Sequence, residues 1–335
     1  MDCILIAKAN DFTAKSIHEW LVNYGVDVHR YISDVEKTMI SHITLSTDNK
    51  NYEFDLGNST FNMENIPFVY FKSGIVSLSN ITNSNFNSCS LFNFKGRLAY
   101  FFTTYELAMK EICLNQFESK VKIGKNNPGR INKINVLEAA IKAGLQIPDT
   151  ILTTKKEKVR EFLNTHISII TKSLDINFSF AETTEGYLYH QLTSKVTLKD
   201  INSFPVTFPL TLFQKEIKKI IELRIFFINQ KIFTAAIFSQ NSHLTESDYR
   251  NYNHENMNRV IPFNLPQEIM NKLTKLMKNL GLESGSIDMI LTPNQEYVFL
   301  EVNPNGQFMA NSDYCNFYLD REIAREINYN IRMAI

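Results

Sequence analysis

Near the end of the chain, Gly285-Ser-Ile-Asp288-Met-Ile-Leu is followed by Tyr297-Val-Phe-Leu-Glu301-Val-Asn303-Pro304-Asn305-Gly306. The polar segment Thr292-Pro-Asn-Gln-Glu296 between these apolar runs predicts a β-hairpin, because Pro and Asn punctuate strands. Glu301 and Asn303 are two apart, so a strand places both on one face, and Asp288 on the partner strand can face them. Leu300 and Val302 alternate with that pair and are expected to pack on the other face. The following Asn-Pro-Asn-Gly-Gln turns the chain, which leaves the polar pair at a strand end beside a loop. Three hard oxygen donors without His or Cys suit Mg²⁺, which keeps waters and shares its shell with nucleotide phosphates. The pattern points to metal–ATP chemistry. Its alternative is an ordinary hairpin whose acids face solvent.

At 335 residues the chain suits two or three sub-domains rather than one core, and 44% hydrophobic residues supply a real interior. Lys+Arg and Asp+Glu both number 35, so the net charge is zero, which argues against general nucleic-acid binding and a polybasic membrane surface. Cys3, Cys89, Cys113 and Cys315 are scattered with no CxxC pair, so neither a disulfide framework nor a zinc site is indicated. Reduced thiols in a soluble, cytoplasmic protein are the expectation. The opening Met-Asp-Cys-Ile-Leu-Ile-Ala-Lys reads as a strand rather than a signal peptide. No run approaches the ~20 apolar residues that span a bilayer.

The first block reads as α/β. Ile4–Ala7 is a buried strand, Asp11-Phe-Thr13 precedes an amphipathic segment from Ala14 to Asn23, and Gly25 closes it. Val26–Ile32 is the next strand, which implies a parallel pair with the Lys8–Thr13 loop at the carboxyl end of the first strand. Residues 40–57 read as a hairpin, Pro67–Phe71 as a buried strand, 77–90 as a Ser/Asn-rich loop and 98–121 as a helix. Lys125-Asn-Asn-Pro-Gly129 marks a boundary, followed by a helix from Lys133 to Ala143 that Gly144 ends. Ile167–Ile170 is a short strand leading to Lys172. Leu212–Ile217, Leu223–Ile228 and Ile232–Phe238 read as strands of one antiparallel sheet, the last two joined by Asn229-Gln230. Helices are expected over Pro266–Leu280 and Asp320–Met333.

Other residues carry weaker signals. Lys172, at a strand end, suits phosphate contact or plain solvation. Gln214-Lys215-Glu216-Ile217 has the place of an extended hinge, where adenine would be read by backbone groups. Arg224 alternates with Leu223 and Ile225, so it needs an anionic partner: a phosphate, or one of Glu222, Asp288 and Glu301. Asp248 and Arg250 lie in a polar, aromatic segment that suits either a charged substrate or an ordinary loop. The seven histidines show no paired spacing and no triad.

The order Lys172, Gln214-Lys-Glu-Ile, Glu222-Leu-Arg224-Ile-Phe, Gly285-Ser-Ile-Asp288, Phe299-Leu-Glu301-Val-Asn303-Pro304 resembles the ATP-grasp ligases. Ala236-Ile-Phe-Ser-Gln240, Asp248-Tyr-Arg250-Asn-Tyr252, Asn258-Arg259-Val-Ile-Pro262 and Leu300-Glu-Val-Asn-Pro-Asn-Gly-Gln307 resemble, more narrowly, the peptide maturases of grasp-with-spasm systems, relatives of graspetide (microviridin-type) macrocyclases. The likeness covers most of the chain and is strong over 212–320. Before about 130 it is looser: Tyr70-Phe-Lys72-Ser73 lacks the arginine pair expected there, which leaves a role for Lys72 open.

The resemblance implies an α/β fold of the α+β ATP-grasp kind. A parallel-sheet pre-ATP-grasp domain would span 1–125, a central subdomain 126–210 and an antiparallel ATP-grasp domain 211–335. It implies an ADP-forming ligase using ATP and Mg²⁺, which activates Asp or Glu side chains of a ribosomal precursor peptide as acyl phosphates. Ser/Thr hydroxyls or Lys amines then close ester or amide rings. Asp288, Glu301 and Asn303 would hold the metal. Lys172, Gln214, Lys215, Glu216, Ile217 and Lys133 would bind the nucleotide, and Arg224, Arg250 and Asp248 would act on phosphate and substrate. The implied partners are the precursor peptide, a SPASM-domain protein and a second copy of the chain. Residues 98–121 are a candidate leader dock, although Tyr100, Phe101, Phe102 and Tyr105 also suit a core. Competing readings are a glutathione-synthetase-like ligase for a small substrate, a non-catalytic nucleotide-binding module, and a carbohydrate- or nucleic-acid-binding α/β protein.

Overall fold

The computed structural model describes residues 1–56, 59–78, 95–124, 131–174, 179–180, 189–190, 193–241, 258–304 and 306–334. It divides into two compact units, Met1–Pro128 with Tyr318–Ile335, and Gly129–Phe317.

In the first unit β1 (Cys3–Ala7), α1 (Phe12–Asn23) and β2 (Val28–Ile32) form the expected parallel pair. Asp11 caps α1, its side chain accepting from the Ala14 amide at 2.9 Å. The predicted hairpin is part of a three-stranded antiparallel sheet, β3 (Thr38–Leu45), β4 (Lys50–Leu56) and β5 (Ser59–Asn62). The four-residue β5 is too short to announce itself in sequence. The chain then returns to the parallel sheet as β6 (Phe68–Phe71), runs through α2 (Lys95–Glu118) and ends the sheet with β7 (Val121–Ile123), in the order β2-β1-β6-β7. Ile4, Ile6, Val69 and Phe71 pack there with Phe54, Cys113 and Phe117 in one buried cluster.

The second unit begins with α3 (Lys133–Ala143), which Gly144 ends in the left-handed region, as the sequence reading expects; the Asn132 side chain caps its start. Next come β8 (Thr150–Lys155), α4 (Lys156–Thr165) and β9 (Ile169–Lys172), then the short strands β10 (Ser179–Phe180) and β11 (Tyr189–His190). After β12 (Ser194–Val196) and α5 (Leu198–Ser203), β13 (Thr207–Lys215) lies between β9 and β8 in a sheet of order β12-β9-β13-β8. This corrects the expectation that the Leu212 strand shares a sheet with the two after it. Periodicity identifies a strand but not its neighbours.

The remaining strands are β14 (Ile221–Ile228), β15 (Lys231–Phe238), β16 (Arg259–Pro262), β17 (Ser284–Leu291) and β18 (Tyr297–Asn303), in the order β16-β15-β14-β17-β18. Asn229 (φ 43°) and Gln230 (φ 73°) both take positive φ in the two-residue β14–β15 turn, the backbone that matches strand twist in a hairpin. Between β16 and β17 runs α6 (Gln267–Leu280), and α7 (Met309–Cys315) follows β18. Leu223, Ile225, Ile287, Met289, Phe299 and Val302 on one sheet face bury against Val136, Leu137 and Ala140 of α3 and Leu273, Leu276 and Met277 of α6. That leaves the opposite face of β14-β17-β18 for chemistry. The last helix, α8 (Leu319–Ala334), packs on α1 in the first unit, where Asp320 accepts from Ser16 at 2.5 Å and from the Trp20 indole at 3.1 Å.

Cys3, Cys113 and Cys315 are free, buried thiols, and Cys89 lies outside the described residues. Among the described residues no helix is long and apolar enough to cross a membrane.

Leu276 of α6 is fully buried against the sheet. Leu276→Ala should cost about 2–5 kcal/mol. Urea unfolding followed by circular dichroism measures it, and an unchanged midpoint would contradict this core.

Candidate functional site

Cross-strand register assembles the site. Arg224 of β14 stands opposite Asp288 of β17, and Asp288 stands opposite Glu301 of β18. Asn303 pairs with Ser286 one step further along the same face. The predicted hairpin forms, its turn closed by the Thr292 amide donating to the Glu296 carbonyl at 3.0 Å. The three proposed metal ligands therefore share one face.

One detail differs from strict alternation. Met289 pairs with Phe299 and Asp288 with Glu301, so Leu300 is an extra residue in a β-bulge. In a regular strand Phe299 and Glu301 would point the same way. The bulge separates them, sending Phe299 and Val302 into the core and leaving Leu300 half-buried. The sequence reading has Glu301, Val302 and Asn303 on their observed faces, but it expects Leu300 rather than Phe299 on the core side.

Arg224 Nη1 donates to both carboxylate oxygens of Asp288, at 2.5 Å each, and Nη2 donates to the Gln307 carbonyl at 3.4 Å. Of the partners considered for Arg224, Asp288 is the one it holds. Their side chains are only 11% and 16% exposed, so the pair is partly withdrawn from solvent screening. Lys133 Nζ lies 4.0 Å from Glu301 Oε2 and donates to the Ser173 carbonyl at 2.7 Å. Ser173 directly follows Lys172, the last residue of β9, so the β9 end comes to the same corner as α3 and β18.

Two steps along β14 from Arg224, Glu222 accepts from Lys219 at 2.5 Å and from Ser239 at 2.6 Å. Burial raises the Glu222 carboxyl above its ordinary range, against the opposing pull of Lys219. Sequence reasoning named Glu222 only as a candidate partner of Arg224 and missed Lys219 and Ser239. The usable signal was the spacing of Glu222 and Arg224, which puts both on one strand face.

The Gln214–Ile217 segment leaves β13, and the chain reaches β14 through residues 216–220, which take no regular structure. Gln214 is buried and donates to Thr150 at 2.9 Å. Lys215 is exposed, with its amide on the Asp149 carbonyl. Glu216 is held by Ser168 at 2.6 Å and Lys195 at 2.8 Å, while Ile217 is half-buried. The Gln214 and Glu216 side chains are thus engaged with their own sheet.

After β18 the chain folds back onto β17. The Gly306 amide donates to the Asn303 carbonyl at 3.1 Å. A Cβ on Gly306, at φ +32°, would sit 2.7 Å from Ser286 Oγ and 2.9 Å from its amide nitrogen. Only glycine allows this approach, which brings Gln307 to Arg224. Asp248 and Arg250 lie outside the described residues, as does Asn305. Lys72 is buried at the end of β6, where burial lowers its pKa and nearby Asp11 opposes the shift.

No protein-family model matches the chain, and no curated protein matches it in sequence. Solved structures do match in fold. The RiPP-associated ATP-grasp ligase of Chryseobacterium gregarium, in complex with ADP and a leader and core peptide, is 24% identical. It aligns over 98% of this chain and 95% of its own, with a TM-score of 0.76. The macrocyclase MdnC of Microcystis aeruginosa MRC, bound with precursor peptide MdnA, is 24% identical over 98% of this chain and 100% of its own, with a TM-score of 0.75. The ATP-grasp ligase PsnB, complexed with a phosphomimetic variant of a minimal precursor, Mg and ADP, is 15% identical over 98% of each chain, with a TM-score of 0.69. The mixed α/β architecture described above is therefore the ATP-grasp ligase fold, as the sequence resemblance implies.

Gly306→Ala should cost about 1–3 kcal/mol through backbone strain and the contact with Ser286. Chemical denaturation reads the loss, and a wild-type midpoint would mean that the loop yields freely.

Proposed function

We propose that this protein is an ATP- and Mg²⁺-dependent ligase that closes rings in a ribosomally made precursor peptide. The observation that carries this reading is the row Arg224–Asp288–Glu301, with Asn303 beside it, on one face of the ATP-grasp sheet. The donor set fits the metal: two carboxylates and an amide, all hard oxygens, on neighbouring strands next to a guanidinium. When bound, Mg²⁺ would supply charge neutralisation at the transferring phosphoryl group.

The residues of the chain then have distinct tasks. Lys172, at the end of β9, and Lys133, which donates to the Ser173 carbonyl just after it, would hold ATP phosphates, and the backbone of Gln214–Ile217 would receive adenine. Arg224 would steady the γ-phosphoryl group, its fork matching phosphate oxygens two at a time. Asp248 and Arg250 would meet the peptide, Arg250 on its carboxylate. In the reaction a peptide Asp or Glu carboxylate oxygen attacks the γ-phosphorus and ADP leaves, giving an acyl phosphate. A Ser or Thr hydroxyl, or a Lys amine, of the same peptide then attacks the acyl carbon. Phosphate leaves, a proton is released, and an ester or amide closes the ring. Positioning and charge suffice for this sequence, with no enzyme nucleophile.

Peptide recognition is proposed for the first unit. There a cavity of about 340 Å³ between β3 and α2 is lined by Ile40, Ile75, Tyr105, Leu107 and Met109. Tyr105 and Leu107 are 46% and 60% exposed, which favours a docking role over a core role for these two. The side chains of Tyr100, Phe101 and Phe102 lie outside the described residues.

Incubating the enzyme with a peptide encoded beside its gene, ATP and Mg²⁺ should remove one water per ring, read by mass spectrometry. Glu301→Gln and Asp288→Asn should slow this by about 10²- to 10³-fold while leaving the fold intact. Near-normal rates in either variant would refute the metal assignment. An unchanged peptide mass, with ADP formed from a small carboxylate instead, would favour a small-molecule ligase.

A further inference from the structure

We infer that Arg224 and Lys133 hold divalent cations off Asp288 and Glu301 until nucleotide is present, so that cation and nucleotide bind cooperatively. The inference rests on the metal reading proposed above. It follows from the way this face balances its charge.

Both carboxylate oxygens of Asp288 accept from one nitrogen of Arg224 at 2.5 Å. A cation seeking either oxygen has to displace the guanidinium. Glu301 is partly compensated by Lys133 at 4.0 Å, whose ammonium is also anchored to the Ser173 carbonyl. Glu222, the other carboxylate of the face, is neutralised by Lys219. Each described acid of this face thus has a basic partner. Little net negative charge is left to draw Mg²⁺ out of its tightly held water shell. None of these side chains is more than 26% exposed, so solvent screens the pairs less than it would at the surface.

A polyphosphate changes the balance. Guanidinium and ammonium groups have in phosphate a partner of higher charge with several acceptor oxygens, and the guanidinium fork matches it geometrically. Once Arg224 and Lys133 turn to phosphate, Asp288 and Glu301 regain their charge toward a cation. Linkage makes the effect reciprocal: nucleotide raises cation affinity by the same factor as cation raises nucleotide affinity.

Binding of Mn²⁺ to the full chain, followed by electron paramagnetic resonance with and without ADP, tests this without any turnover. Wild-type protein should bind Mn²⁺ weakly alone and about tenfold or more tightly with ADP. Arg224→Gln should bind Mn²⁺ about tenfold more tightly than wild type without nucleotide, and should gain less from ADP. Lys133→Met, at the first turn of a helix, should shift the same way by a smaller factor, and it keeps the test open if Arg224→Gln does not fold. Equal nucleotide-free affinities in wild type and both variants would overturn the inference. The metal reading would survive that result if Asp288→Asn still lost the ADP-dependent signal. No bound Mn²⁺ in wild type with ADP would overturn both.

Discussion

Arg224, Asp288 and Glu301 stand in one row across three antiparallel strands, and that row fixes register for site and core together. Side chains alternate with a period of two, so a one-residue slip of β14 would drive Arg224 into the cluster now held by Leu223 and Ile225. The same slip would expose those apolar residues on the polar face. An unpaired charge in that cluster is prohibitive, and the loss of packing adds to it. The polar face is therefore specified by the same alternation that specifies the packed one. The bulge at Leu300 serves this arrangement, because it lets Phe299 fill the core while Glu301, two residues on, joins the charged row.

The second dependency lies in how the two antiparallel sheets of the second unit meet. Chain connection is minimal, residues 216–220 between β13 and β14. Side chains reinforce it. Lys219 reaches from this link to Glu222 on β14, and Ser239 at the end of β15 holds the same carboxylate. At the other corner Lys133 of α3 touches the carbonyl after Lys172 and lies near Glu301. Nucleotide held between hinge backbone and charged row, as proposed, would sit where these ties limit relative movement. Precise placement of a phosphoryl group depends on such supports more than on the contacting residues alone.

Much of this was legible in sequence because local rules carried it. Gly144 ends α3, Gly281 ends α6, and a Pro- and Asn-containing turn joins β17 to β18, each through a short-range backbone requirement. The spacing of Glu301 and Asn303 read correctly because period-two alternation is local as well. What failed to show is long-range. The Leu212 segment announced a strand and gave no sign that it pairs with β8 and β9. The bulge at Leu300 is a choice made between two strands, so one strand's pattern could not reveal it. Arg224 was known to need an anion, yet only register selects Asp288 over Glu222. Lys219 and Ser239 carry no motif, and folding alone brings them to Glu222.

Ser239 shows how the charged face constrains chemistry. A serine hydroxyl 2.6 Å from a carboxylate invites comparison with an activated nucleophile. The surroundings argue otherwise. Ser239 is fully buried, and the carboxylate it donates to also receives Lys219. Burial raises that acid's pKa, but an ammonium at 2.5 Å occupies the lone pairs a base would need. The hydroxyl therefore serves to satisfy a buried acid and to tie β15 to β14. Among the described residues, the other polar groups of this face are acids, an amide, cations and the Ser286 hydroxyl, which donates to the Gln307 carbonyl. Such a face suits reactions in which the substrates supply both nucleophile and leaving group and the protein supplies field and position. Phosphoryl transfer to a carboxylate is that kind of reaction.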